Sequence, residues 1–420
     1  MSRMDDLLDR FSPAIEKIAT EVHLIAIRDA LLTVVPFLVL GGFATFFANV
    51  LFTETSPLAS VVGAQALSDW SSMFMRINAG TMGLLGLLLA ALIPYFMGIA
   101  RNFENPVILA VTGLSCFFIF QPLGGEGYQF GTNGIMLAIL LGLGSSALFM
   151  RLSRVERLKW DLGDSVPEMV SRSFSLLFII VLTVAVFGLI AAAVNLLTGM
   201  ETVEFVYSVL QRPFIGFGAS IPGMEIYSLL TSFFQNFLGI QSSAITAPIS
   251  TAMIAAVDTG EIVNYSFYYT FCQFGGGGCM LGVTVYLFFF ARRQEWRALG
   301  KMAIFPSLFN ISEPIIFGLP TVLNPVFFIP SFLVMTVNGL IAYAATALGF
   351  IPVLSNTVTW SMPVFIKGFV ASNGDLRVCA LEAVLLVLSI VIWGVFLRFY
   401  ERYLDRKDAE AAEQIEAAKA

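Results

Sequence analysis

The stretch Phe309-Asn310-Ile311-Ser312-Glu313-Pro314-Ile315-Ile316-Phe317-Gly318-Leu319-Pro320-Thr321-Val322-Leu323-Asn324-Pro325 is almost wholly apolar, yet it carries one carboxylate in its middle. Pro314, Pro320 and Pro325 forbid an uninterrupted helix across it, because each lacks an N–H and its ring clashes with the preceding turn. Backbone broken in this way is tolerated at membrane depth only where protein or a water-filled cavity covers it. An acidic side chain at that depth is costly and by default marks a functional site. Glu313 and the freed backbone groups are therefore the first candidates for holding a polar ligand. The competing reading is a proline-kinked helix whose Glu313 meets a structural partner.

The rest of the chain supplies the membrane. Of 420 residues, 57% are hydrophobic and 12% charged, and the mean hydropathy is +0.84. Soluble domains carry about 25% charged residues. Apolar runs such as 30–52 and 174–197 reach the roughly 20 residues that cross a bilayer. The chain is an all-α polytopic membrane protein. Its 40 phenylalanines and 35 glycines suit lipid-facing bulk and close helix contacts. The net charge of −6 says little, because charge acts loop by loop, and nothing points to nucleic acid. The first residues mix Arg3, Asp5, Asp6, Asp9, Arg10, Glu16 and Lys17 and lack the apolar core of a cleavable signal. Cys116, Cys272, Cys279 and Cys379 have no metal or disulfide spacing, and His23 is the sole histidine, so no metal or other cofactor is expected.

Residues 1–29 read as an amphipathic segment on the membrane surface. Apolar spans follow at 30–52, 82–100, 107–120 and 134–150, then at 174–198, 222–240, 243–257 and 265–290, and four pieces at 303–323, 326–350, 357–371 and 378–398. The loops 151–172 (Arg151, Arg154, Arg157, Lys159, Arg172) and 291–301 (Arg292, Arg293, Arg297, Lys301) are basic, as is the tail 399–420 beside Arg398. By the positive-inside rule these lie in the cytoplasm, which puts both termini there. The pieces 303–323 and 357–371 are short and broken by Pro and Gly, and read as re-entrant hairpins. That leaves about ten transmembrane helices. Paired broken segments of this kind point to a transporter's binding site. The part 30–172 has mostly clean spans, whereas 173–398 concentrates polar residues and helix breakers.

Several segments, in order along nearly the whole chain, carry a family resemblance. Phe309–Pro325 resembles the "FNINEPIIFGLPIVLNP" hallmark of the membrane subunit, enzyme IIC, of the lactose/cellobiose/diacetylchitobiose class of bacterial sugar phosphotransferase systems. Asp164-Ser165-Val166-Pro167 through Val170-Ser171-Arg172-Ser173-Phe174 resembles "DSVPxxVSRSF". Gly275-Gly276-Gly277-Gly278 with Leu281-Gly282 resembles "GGSGATLG". Ala298-Leu299-Gly300-Lys301 and Trp360-Ser361-Met362-Pro363 with Asn373-Gly374 also fit. The resemblance implies a homodimer in the inner membrane, with 30–172 as scaffold and dimer contact and 173–398 as the sugar-carrying half. It implies delivery of the sugar to a phosphocysteine on a separate IIB protein, itself served by IIA. No cysteine here sits in a soluble phosphate loop, so IIB and IIA are expected as separate polypeptides.

Carried over residue by residue, the resemblance puts the family's sugar-binding glutamate on Glu313. As an ionised acceptor it takes a hydrogen bond from a sugar hydroxyl, and if basic enough it accepts that proton during phosphoryl transfer. Ser312 stands where the family usually has Asn. Gln241, in Phe237-Leu238-Gly239-Ile240-Gln241-Ser242, stands where the family's "WFFGIHG" has a sugar-binding histidine. Glutamine donates and accepts but does not titrate near neutral pH, so the pocket suits either the usual β-disaccharide or another sugar. Otherwise Gln241 merely pairs with a neighbouring helix. Asn78, in Asn78-Ala79-Gly80-Thr81, resembles the family's "YNGT" with an offset of one residue, and equally fits a plain helix start. Trp360 is a candidate to stack on a sugar ring or to sit in an interfacial belt. Gly276 and Gly277 lie in a close-packing or backbone-binding turn, since no Lys-Ser/Thr follows to make a phosphate loop. His23 is given no catalytic role. The expected function is a sugar permease subunit acting with IIB, with the basic loops drawing an acidic partner face or lipid headgroups. The alternative from another class is an ion-driven carrier using Glu313.

Overall fold

The computed structural model describes residues 21–53, 64–124, 127–158, 174–240 and 242–419. Among these, all regular structure is helical. In chain order the helices are α1 (Val22–Phe46), α2 (Ala64–Ala79), α3 (Leu85–Ala100), α4 (Pro106–Ile119), α5 (Ile135–Leu152), α6 (Leu177–Thr198), α7 (Thr202–Gln211) and α8 (Ile221–Thr231). They continue with α9 (Ser243–Thr259), α10 (Tyr265–Phe267), α11 (Met280–Phe289), α12 (Gln294–Leu308), α13 (Glu313–Gly318), α14 (Pro325–Ala347), α15 (Ile366–Ala371) and α16 (Leu376–Lys419). Wider π-type turns extend α1 over Phe47–Leu51, α8 over Ser232–Phe237 and α10 over Tyr268–Cys272. Six described stretches are long and apolar enough to cross a membrane: Val22–Asn49, Gln65–Ala100, Thr132–Leu152, Leu177–Thr198, Pro325–Ala347 and Leu376–Glu410. Shorter apolar helices occur at Pro106–Ile119, Ile245–Thr259 and Met280–Phe289. Residues 1–20, the segment 159–173 that holds most of the Asp164–Phe174 motif, and Gln241 lie outside the described residues.

The chain forms two compact units. The first comprises 1–37, 79–213 and 243–245. Here α3, α4 and α5 meet through glycines. A Cβ on Gly142 would stand 3.2 Å from Ile93, and one on Gly98 would stand 2.8 Å from Pro106. Helices approach this closely in membranes because dispersion replaces the hydrophobic effect as the drive to associate. Ala26, Met97, Leu109, Phe149 and Ile179 fill the centre. Helix α6 is apolar all round, with mean hydropathy 3.0, and exposes Leu189, Leu196 and Leu197, as a span facing hydrocarbon should.

The second unit comprises 38–78, 214–242 and 246–420, and it holds the hallmark motif. Its core runs through Met224, Phe267, Phe271, Met280, Leu287, Ile315, Phe327 and Trp393. The run 265–290, expected as one span, is divided. Gly275, Gly276 and Gly278 take φ of +75°, +99° and +81°, which turns the chain between α10 and α11. Only glycine adopts such angles freely.

The basic loop before α12 is anchored to α16. The backbone N–H groups of Arg292 and Arg293 donate to Glu401 Oε1 at 2.6 and 2.9 Å. The Arg293 guanidinium reaches Glu295, Asp405 and Asp408 at 2.5, 3.1 and 2.9 Å. Arg293 thereby holds the Glu295 carboxyl below the usual carboxylate range.

Candidate functional site

The hallmark motif is where the second unit interrupts its helices. Helix α12 ends at Leu308, and the N–H groups of Asn310 and Ile311 turn back to the carbonyls of Ser307 and Pro306 at 3.1 and 3.0 Å. Asn310 takes φ +61°, a left-handed position that asparagine tolerates better than most residues. The Ser312 carbonyl accepts from Ile315 and Ile316, both at 3.0 Å, and starts α13. Glu313 and Pro314 open that helix, where the missing N–H of proline costs nothing. A second left-handed residue, Leu323 (φ +60°), is held by its N–H on the Phe237 carbonyl at 2.7 Å. Asn324 then caps α14 with its side chain on Val326 N at 3.0 Å, and Pro325 follows. Two of the three prolines thus stand at helix starts and Pro320 stands in the turn between.

Side-chain and main-chain polar groups from distant segments converge at this break. Asn310 Oδ1 accepts from the Gly275 N–H at 2.5 Å, and its Nδ2 donates to the Trp360 carbonyl at 2.7 Å. Gln235 Nε2 donates to Ser312 Oγ at 3.3 Å. Gly276 lies against Ser312, so a Cβ there would collide with the serine side chain. A Cβ on Gly277 would fall 2.7 Å from Gln235 Oε1 and 2.8 Å from Thr231 Cγ2. The Gly278 carbonyl takes the Trp393 indole N–H at 2.9 Å. The turn needs glycine twice over: for its φ angles, and because neighbouring polar side chains fill the space a Cβ would take.

Ser312, Gly276 and Gly277 are therefore in one place, with Glu313 adjacent in the chain and half-buried. Trp360 is tied in through its carbonyl. Asn78 stands one helix away: its amide donates to the Gly41 carbonyl and to Thr45 Oγ1 of α1 at 3.2 and 2.7 Å. That end of α1 meets the motif, since Phe46 packs edge-on to Phe309 at 4.3 Å and Gly42 abuts Ile311. Gln241 lies outside the described residues, but its neighbours Ile240 and Ser242 are buried, and Ser242 Oγ lies 3.4 Å from Thr231 Oγ1.

Sequence reading gave no role to Asn310, Thr231, Gln235, Lys367 or a tyrosine cluster. Tyr227 stacks on Tyr268 at 4.3 Å and its hydroxyl lies 3.3 Å from that of Tyr269, which packs on Tyr265 at 4.5 Å. The spacing of Tyr265, Tyr268 and Tyr269 along one helical face was a usable signal. A lysine inside an apolar segment was another.

Among the described residues, Gln273 Oε1, Asn236 Oδ1, Thr359 Oγ1 and Ser361 Oγ are buried without a hydrogen-bond partner. Each such atom costs about 1–3 kcal/mol. Gln273, Thr359 and Ser361 flank the glycine turn and Trp360 in the chain, and the Asn236 amide lies against Gly278. Neutral amides and hydroxyls beside one carboxylate offer both donors and acceptors, the chemistry that a neutral polyhydroxylated ligand matches.

Residues 28–334 match the family described as "Phosphotransferase system, EIIC". The chain is 27% identical to the oligo-beta-mannoside-specific EIIC component of Bacillus subtilis (strain 168), over 94% of this chain and 93% of the relative. It is 24% identical to the cellobiose-specific EIIC component of Lactococcus lactis subsp. lactis (strain IL1403), over 92% and 95%. In fold it is similar to the crystal structure of ChbC, the IIC component of the N,N'-diacetylchitobiose-specific phosphotransferase system. The TM-score is 0.56 at 25% identity, covering 96% of this chain and 99% of that one. With the hallmark in place, the helices apolar enough to span and the family matched across most of its length, the chain belongs to the phosphotransferase-system EIIC family and is a membrane sugar permease component of such a system.

Proposed function

We propose that this permease carries a β-linked disaccharide or short oligosaccharide, bound at the break in the hallmark motif, and presents it to a phosphorylated IIB protein. Glu313 accepts a sugar hydroxyl and the proton released on phosphoryl transfer. Ser312, Gln241, Gly276 and Gly277 line the same site, Trp360 offers its ring, and Asn78 supports it from α2. The observation that carries this reading is the convergence of Asn310, Ser312, Gly275–Gly277 and Trp360 beside half-buried Glu313. The names of the relatives support the sugar class, being specific for oligo-β-mannosides and cellobiose.

The proposed assembly is a homodimer of about ten transmembrane helices per chain. Part 30–172 makes the contact between copies, 173–398 carries the sugar, and both termini are cytoplasmic. IIB docks on the basic segments 151–172 and 291–301, the second of which runs from the turn before α12 into that helix, and IIA recharges it. Family membership supports phosphorylation-coupled uptake over an ion-gradient carrier. The test is equilibrium binding of radiolabelled cellobiose, diacetylchitobiose, β-mannobiose and glucose to the purified chain and to Glu313→Gln. A hydrogen bond to a charged group contributes about 1.5–3 kcal/mol. The variant should therefore bind the preferred β-disaccharide roughly ten- to hundredfold more weakly while folding normally. Unchanged affinity removes Glu313 from the site.

A further inference from the structure

Among the described residues, Lys367 is a buried cation that the proposed phosphoryl transfer does not use. Lys367 lies on the short helix α15, seven residues after Trp360, and is 1% exposed. A buried ammonium costs several kcal/mol unless its protons are taken up and its charge is balanced. Two of its three protons meet named main-chain acceptors. Nζ donates to the carbonyls of Trp360 at 3.2 Å and Tyr269 at 3.3 Å, and stands 5.8 Å from the Tyr269 ring centroid, within reach of its negative face. The acid on the neighbouring helix is Glu382 of α16, also 1% exposed, whose Oε2 is buried without a hydrogen-bond partner. Gly368 gives that carboxylate its room, since a Cβ there would run into Oε2.

The carbonyls chosen by Lys367 are not arbitrary. Trp360 O already receives Asn310 Nδ2 at 2.7 Å, so amide and ammonium together occupy both of its lone pairs. Asn310 in turn holds the Gly275 N–H. One ammonium therefore stands at the end of a chain of bonds that fixes Tyr269, Trp360, Asn310 and the glycine turn relative to one another. Glu382 braces the same segment from its other side. Its Oε1 accepts from the N–H of Phe365 at 3.4 Å, and Phe365 sits at φ +70°, a conformation a bulky residue holds only when its surroundings impose it.

We propose that Lys367, together with Glu382, is a positioning residue of the sugar site, locking the Trp360 segment against the Asn310–Gly275 clip. This rests on the site reading given above. It does not place the ammonium on the sugar, because its protons are directed at main-chain carbonyls.

The test separates this role from generic stabilisation. Removing one partner strands a buried charge, whereas replacing both with apolar residues of similar volume is often tolerated. The variant to make is therefore K367M/E382L in the full-length chain, with radiolabelled cellobiose, diacetylchitobiose and β-mannobiose as probes. The expected result is a folded, monodisperse protein that binds its preferred sugar about tenfold more weakly, the loss of one charge-assisted anchor. In phosphorylation by phospho-IIB, KM should rise with kcat retained per folded molecule, and K367R, which keeps donors at this position, should recover most of the affinity. A folded K367M/E382L with wild-type affinity overturns the proposal. If that variant does not fold, K367M/E382Q, which still removes every donor at position 367, decides by the same two outcomes. A wild-type chain that binds none of the three sugars overturns the site reading itself, and this proposal with it.

Discussion

Gly276→Ala tests the architecture of the site at its tightest point. Two separate costs fall on the new methyl group. The first is conformational: φ is +99° at this residue, outside the regions an alanine adopts, which costs about 1–3 kcal/mol. The second is steric. The Cβ would stand 2.5 Å from Ser312 Oγ and 3.3 Å from the Asn310 carbonyl, with the serine Cβ closer still. Relieving such an overlap in a packed interior costs a further 1–3 kcal/mol or so. Only the steric cost depends on Ser312. The double variant Gly276→Ala/Ser312→Gly should thus recover about 1–3 kcal/mol of what the single alanine loses, and leave the conformational cost in place. The assay is a double-mutant cycle on thermal or denaturant unfolding of the purified chain, with sugar affinity measured in parallel. The single alanine should also weaken sugar binding, because Ser312 is pushed off Gln235. Strict additivity of the two substitutions, or a wild-type melt for Gly276→Ala, would refute the contact between the glycine turn and the hallmark motif.

Other predictions follow from single partners. Asn310→Ala removes both halves of the clip and puts a less tolerant residue at φ +61°, so it should cost about 2–4 kcal/mol in an unfolding assay, whereas Asn310→Gly spares the backbone part of that loss. At the α12–α16 anchor, Glu401→Ala strips two backbone N–H groups of their acceptor at a position 2% exposed, and should destabilise by about 2 kcal/mol or more. Arg293→Ala breaks ion pairs to acids that are mostly exposed, and should cost about 1 kcal/mol or less, shrinking as salt is added in the same melt.

The legible part of the site was the part encoded locally. Three prolines around one carboxylate announce a broken stretch, and the helices stop and restart there. The glycine run announced a turn. The sequence could not say that the turn presses on Ser312, because the 36 positions separating Gly276 from Ser312 close through packing of α11 and α12. For the same reason Asn310 passed as one more residue of the motif: its importance lies in joining Gly275 to Trp360, 35 and 50 residues away. The run 265–290 reads as a single span in the sequence because its mean hydropathy does not register backbone angles. Lys367 was visible as a charge in an apolar segment, but its two carbonyl partners and Glu382 come together only in the fold.

The central claim is that the break at Glu313 holds a sugar for phosphorylation by a separate protein. The most direct measurement uses inverted membrane vesicles containing the chain, with radiolabelled cellobiose, diacetylchitobiose and β-mannobiose, in the presence and absence of a purified phosphorylated IIB protein of this class. At least one β-disaccharide should appear as its phosphate only when phospho-IIB is present, and Glu313→Gln should abolish the product. Sugar movement that ignores phospho-IIB and collapses with a protonophore, or product formation undiminished in Glu313→Gln, would contradict that claim.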